Sequence, residues 1–210
     1  MTLGSVYEEG KVMKKLSILG FIFTSLYLFA ASGTLHAQET FTGTVLRYGT
    51  GRYVGTRTSG FTLKLNSVTP DDEARRFLSI LQTGGQDDLL DAIKHEDLGY
   101  FELTAGLGQR INAAREVNVG GMRKIYAVFE RWTQFAELRG GYRSLDYPFG
   151  YIELTIDPRT GKGTGQYFAA AKIRWKNDKK GVGPHIEVED YATIPAKLLN
   201  VRTKVKKVIF

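Results

Sequence analysis

The feature that most limits what this chain can fold into is a two-residue rhythm, repeated in short segments and broken by glycine. In Gly60–Asn66, Phe61, Leu63 and Leu65 face one way and Thr62 and Lys64 the other. Ile152, Leu154 and Ile156 alternate with Glu153 and Thr155, and Ile186 and Val188 with Glu187 and Glu189. Successive side chains of a strand point to opposite faces, so each segment reads as a half-buried strand. Phe41–Tyr48, Tyr100–Thr104, Ile111–Val119, Lys124–Trp132 and Tyr167–Trp175 extend the pattern, with Gln134–Leu138 as a shorter candidate. Ile125–Phe129 is apolar on both faces and belongs at the centre of a sheet. Gly120-Gly121 predicts a tight hairpin turn, and Asp157-Pro158-Arg159-Thr160-Gly161 a longer one. Lys172 and Arg174 are placed to lie across from Glu187 and Glu189.

One stretch breaks the rhythm. Ala74, Phe77, Leu78 and Leu81 recur at helical spacing behind Thr69-Pro70-Asp71-Asp72-Glu73. Thr69 suits the cap, Pro70 the first helical position, and the acids the positive end of the helix dipole. Gly84-Gly85 predicts a stop. A second helix begins at Asp87-Asp88, buries Leu89, Leu90 and Ile93, and is expected to end at Gly99. The expected fold is therefore mainly β (α+β by content): an antiparallel β-barrel or sandwich of about eight to ten strands, with a helical hairpin inserted at about 70–98.

Residues 1–37 read differently. Lys14 and Lys15 precede Leu16–Leu35, which carries no charge, and small residues follow at Ala31-Ser32-Gly33 and at Ala37. A charged start, an apolar run of about 15 residues and a small-residue end make a secretory signal. Met13 is the natural start of such a signal, because Glu8 and Glu9 are foreign to one. The expectation is a signal peptide over 1–37, a single domain over 38–210, a periplasmic or extracellular location, and no transmembrane segment once the signal is removed. A membrane barrel fits poorly: Lys204 and Lys206 would share the lipid-facing register of the last strand, at about 2–4 kcal/mol each near the midplane.

The sequence has no cysteine. That excludes disulfides, lipidation at cysteine, thiolate metal sites and thiol nucleophiles, so the domain must be held by its core. Gly161-Lys162-Gly163-Thr164-Gly165 lacks the spacing and the following helix of a phosphate loop, and its glycines are expected as turn residues. Asp87, Asp88 and Asp91 share one helical turn but read as capping acids. Outside the signal, histidine is limited to His95 and His185, and no Gly-x-Ser-x-Gly occurs. Glu130, Glu137, Asp146 and Glu153 offer carboxylates without a pairing pattern. No catalytic set, metal site or cofactor is assigned.

Two surfaces remain as candidates. The aromatic stretch Arg139, Tyr142, Arg143, Tyr147, Phe149 and Tyr151 has the composition of a ligand or partner surface, or of a barrel-end plug. The formal charge of +7 leaves +6 on 38–210, since the first 37 residues hold three lysines and two glutamates. Lys172–Lys207 alone holds ten Lys/Arg against four Asp/Glu. Arg202, Lys204 and Lys206 alternate with Val201, Thr203 and Val205, placing three cations on one side of a strand that suits an anionic surface. The bland alternative is a charged edge that prevents strand aggregation. The expected function is an exported, non-catalytic domain binding an apolar or anionic envelope component: anionic lipid, lipopolysaccharide, glycan or an envelope protein, and not nucleic acid. The alternatives are a secreted hydrolase with a shallow site using His95 or His185 and carboxylates, and a structural or assembly partner of the envelope.

Overall fold

The computed structural model describes residues 38–49, 55–132, 139, 143–177, 184–192 and 194–205. The expected signal, the candidate strand Gln134–Leu138, Tyr142 and Lys206 lie outside them, as does the side chain of Arg143. In chain order the elements are β1 (Glu39–Tyr48), β2 (Thr56–Leu65), α1 (Asp71–Thr83), α2 (Gly85–Ile93), β3 (Gly99–Leu103), β4 (Gln109–Arg110), β5 (Ala113–Val119), β6 (Met122–Glu130), a 3-10 turn at Arg143–Asp146, β7 (Phe149–Asp157), β8 (Lys162–Lys176), β9 (His185–Asp190) and β10 (Ala196–Val205). The protein is mainly β with a helical hairpin, as the alternation implies. No helix among the described residues is long and apolar enough to cross a membrane.

The strands form one curled antiparallel sheet in the order β4-β3-β2-β1-β10-β8-β7-β6-β5. β8 is long enough to pair in succession along one edge: Lys162–Tyr167 with β10, then Ala171–Lys176 with β9. The two flanks of the sheet meet at residues 109–114. There Ile111 N–H donates to the Gly99 carbonyl and Leu98 N–H to the Ile111 carbonyl, while Asn112 N–H donates to Val128 on β6. One short piece of chain thus belongs to both flanks and joins them at a seam.

Inside the curl the inward side chains of every major strand converge. Phe41, Val45, Leu63, Leu65, Ile125, Ala127, Phe129, Ile152, Leu154, Ile156, Leu198 and Val201 are fully buried. The Phe101 ring lies 6.0 Å from Phe61, 5.8 Å from Phe129 and 4.9 Å from Tyr167, centroid to centroid. The lumen is filled by aromatic packing, at about 1.5–3 kcal/mol per large side chain removed from water.

A second core lies on the outside of the curl. Phe77 and Leu81 of α1 and Leu89 and Ile93 of α2 pack on Phe149, Tyr151, Phe168, Ala171 and Ile173. The hairpin therefore roofs the outer face of β6–β9. The helix starts depart from expectation. Thr69 does not cap α1; its Oγ accepts from Ala114 N–H and its N–H donates to the Ala114 carbonyl, stitching the hairpin's entry to β5. Pro70 occupies the cap position instead. α2 begins at Gly85, whose φ of +85° makes the turn between helices, and ends at Ile93. Gly99, expected as its stop, opens β3.

The glycines of 161–165 also need correcting. Gly161, at φ +64°, is a turn residue, but Gly163 and Gly165 lie within β8. A Cβ there would sit 2.1 Å from the Thr155 carbonyl oxygen and 2.2 Å from that of Glu153. These glycines let the β7 backbone approach β8 closely.

Candidate functional site

Two parts of the surface are built differently from the rest. The first is the outer face of β2, β1, β10 and the first half of β8, opposite the helical roof. The registers set its rows. One runs Thr62–Thr42–Arg202–Lys162 and another Lys64–Thr40–Lys204, with Lys197 beside Leu46 further along. Lys162, Lys197, Arg202 and Lys204 are exposed and Lys64 half-buried. None of these five cations forms an ion pair with a described carboxylate, and no Asp or Glu occupies an outward position on these four segments. Acids appear only at the rims. Glu102 stands opposite Thr62 on β3, and Asp157 opposite Lys162 on β7, where Arg159 approaches it at 3.7 Å. Lys64 and Lys197 lie over the rings of Tyr100 and Tyr48, at 5.6 and 5.9 Å.

The second is a cleft of about 600 Å³ at the seam. Asn112 builds its floor. This buried side chain donates to the carbonyls of Lys94 and Glu96 beyond α2, and its oxygen accepts from Glu130 N–H at 2.8 Å. One amide thus fixes the end of the helical hairpin against the end of β6. Buried Arg131 then anchors the chain by donating to the carbonyls of Tyr147 and Ser144, at 2.6 and 2.7 Å. The alternation of β6 continues past its end, so Trp132 points outward and is 56% exposed. Tyr100 enters from β3 on the other flank, beside Arg110 of β4. Lys94 and Arg110 face Asp97 and Glu130, so the cleft carries balanced charge. Asp91 holds Lys94 at 2.7 Å, and Arg110 stands 3.9 Å from Asp97.

Of the aromatic stretch, the three described rings are buried. Phe149 is fully buried and Tyr151 nearly so, both beneath the helices, with Tyr151 edge-on to Phe168 at 5.3 Å. Burial pushes the Tyr151 hydroxyl pKa well above its usual value. Tyr147 is buried too, and its hydroxyl donates to Glu189 at 2.5 Å. Arg139 is exposed. In the basic strand, Val201 is buried while Arg202 and Lys204 are exposed.

His95 is exposed just after α2, and His185 opens β9 opposite Lys176. Glu153 is buried and pairs with Lys124 at 3.2 Å, whereas Asp146 is exposed in the 3-10 turn. Among the described residues no group of three His, Asp or Glu is placed to hold a metal ion. Asp190 stands apart: burial raises its carboxyl to about 6, against hydrogen bonds from the Ala192 and Tyr191 amides.

No family of known proteins, no curated protein and no solved structure matches the chain. The two surfaces therefore have to be read from their own chemistry.

Proposed function

We propose that this protein is an exported, non-catalytic binding domain that docks onto an anionic lipid surface of the envelope through the outer face of β2, β1, β10 and β8. The observation that carries the reading is the segregation of charge: five cations, spaced by threonines, with acids only at the rims. Adjacent strands are about 4.8 Å apart and alternate residues about 7 Å, so Lys64, Lys162, Arg202 and Lys204 form a grid on the scale of packed headgroups, with Lys197 further along the same face. Each contributes up to about 1 kcal/mol near an anionic membrane, falling off over about 8–10 Å at ordinary salt. The threonine hydroxyls between them donate to phosphate oxygens. The apolar half of the expectation draws no support from the lumen, which aromatic side chains fill.

The test is co-sedimentation with vesicles containing phosphatidylglycerol, set against pure phosphatidylcholine, across a salt series. Binding should require the anionic lipid, weaken steeply with salt and drop when Lys197, Arg202 and Lys204 become Gln. Binding to an acidic polysaccharide but not to vesicles would move the ligand from lipid to glycan. No binding to either at low salt would reduce the face to a solvated edge.

A further inference from the structure

We infer that the seam cleft is a saccharide-binding site, independent of the role of the basic face, which it adjoins where Lys64 lies over the Tyr100 ring. Three observations lead there.

The first is the aromatic pair. Trp132, 56% exposed, and Tyr100, 37% exposed, both line the cleft, and they come from the two flanks that the seam joins. Among the described residues Phe41, Phe101, Phe129 and Phe149 are all fully enclosed, and the one other comparably exposed ring, Tyr191 at 50%, packs edge-on against Tyr147 at 5.3 Å. An exposed indole and phenol in one concavity offer two π-faces with negative centres. The axial C–H groups of a pyranose ring carry partial positive charge and form a flat apolar patch that fits such a face.

The second is the polar lining. Between the rings stand Asp97, Glu130, Arg110 and Lys94. Their charges cancel, which argues against a phosphate or a free cation and for a neutral ligand. Each also presents hydrogen-bonding atoms to a ring of hydroxyls. A lipid tail would leave these groups unsatisfied, at a cost no apolar contact there offsets.

The third is rigidity. Glu130 is held by the Asn112 oxygen at its N–H, and Trp132 follows Arg131, which is locked to two backbone carbonyls. A pre-organised site loses little freedom on binding. Gly108, which also lines the cleft, leaves the rim low; a Cβ there would meet only the Tyr100 ring and Glu102, at 3.8 Å or more. The ligand is thus a neutral saccharide that stacks on Trp132 and Tyr100.

The probes are cellotetraose and chitotetraose, titrated into the purified protein by calorimetry. Fluorescence of a Trp175→Phe variant, in which Trp132 is the only tryptophan, provides the second readout. The expected result is saturable binding of at least one probe with a shift of Trp132 emission. Trp132→Ala should then weaken binding about tenfold or more, as loss of an aromatic anchor does. Glu130→Gln should weaken it less, and the Gln variants at Lys197, Arg202 and Lys204 should leave it unchanged. Circular dichroism verifies folding; Trp132 is exposed enough to be replaced. No saturable signal with either probe at millimolar concentration overturns the inference. So does binding that Trp132→Ala leaves intact, or binding that the basic-face variants abolish.

Discussion

Arg123 on β6 donates hydrogen bonds of 2.9 and 2.8 Å to the two carboxylate oxygens of Glu39 on β1, although β7, β8 and β10 lie between those strands in the sheet. The contact crosses the open end of the curl. Glu39 is only 3% exposed, and the same guanidinium also grips Glu116 on β5 at 2.8 and 2.9 Å. The two carboxylates hold the Arg123 pKa well above its ordinary value. Removing one partner of a buried pair costs about 3–5 kcal/mol; with Glu116 still in place, Glu39→Gln should cost about 2–3 kcal/mol. Urea unfolding measures it, and a loss under about 1 kcal/mol would mean the end of the curl holds without this brace.

The helical roof is equally open to test. Phe77 is 7% exposed against the outer face of the sheet. Phe77→Ala should destabilise by about 3–5 kcal/mol. A smaller loss, under about 1 kcal/mol, would make the hairpin peripheral to the fold.

Gly150 lies beneath Phe129, and a Cβ there would come within 2.1 Å of the ring. Phe129 is fully buried and cannot step aside. Gly150→Ala should therefore cost about 1–3 kcal/mol through overpacking. Adding Phe129→Leu should recover part of that loss, so that the two changes are non-additive in a double-mutant cycle. Strict additivity would place the strain elsewhere.

Asp190 gives a pH signature. Its folded pKa of about 6 lies above the ordinary carboxylate value of 3.8 because burial disfavours the anion. The folded state then holds the proton more tightly than the unfolded chain. Stability from this residue is full below about pH 4, declines as pH rises to about 6, and stays low above that. Asp190→Asn should flatten this limb and be more stable than the parent at neutral pH. Parallel stability curves for the two proteins between about pH 4 and 7 would refute the assignment.

The exposed cations should be thermally silent. Lys197, Arg202 and Lys204 have no carboxylate partner among the described residues, so changing all three to Gln should leave the melting temperature nearly unchanged. A large drop would mean that the face has a structural role.

The fold was legible where information is local. Phe61, Leu63 and Leu65 alternate because one face of β2 is buried, and Gly120 and Gly121, at φ +60° and +78°, make the turn their sequence predicts. Lys172 and Arg174 do lie opposite Glu189 and Glu187. Gly163 and Gly165 misled, because the same residue serves a turn and a close strand crossing, and only the neighbouring carbonyls tell the two apart. Phe149 and Tyr151 misled for a related reason. The outward side of β7 is polar at Thr155 but apolar nearer the helices, and a roof from another part of the chain decides which of these residues see water. Arg202 and Lys204 were legible as one side of a strand. Their alignment with Lys162 and Lys64 depends on register between distant segments. The cleft lay furthest from view, since Tyr100, Arg110 and Trp132 meet only where the two flanks join.

The pairing of Glu39 with Val205 has a kinetic consequence. Strand β1 finds one neighbour at once in β2, but its other neighbour is the last strand of the described chain. Until β10 arrives, β1 and β8 each present an unpaired edge, and the aromatic lumen stands open between them. Such long-range pairing slows folding, and an unpaired β1 or β8 edge would invite association with other copies of the chain.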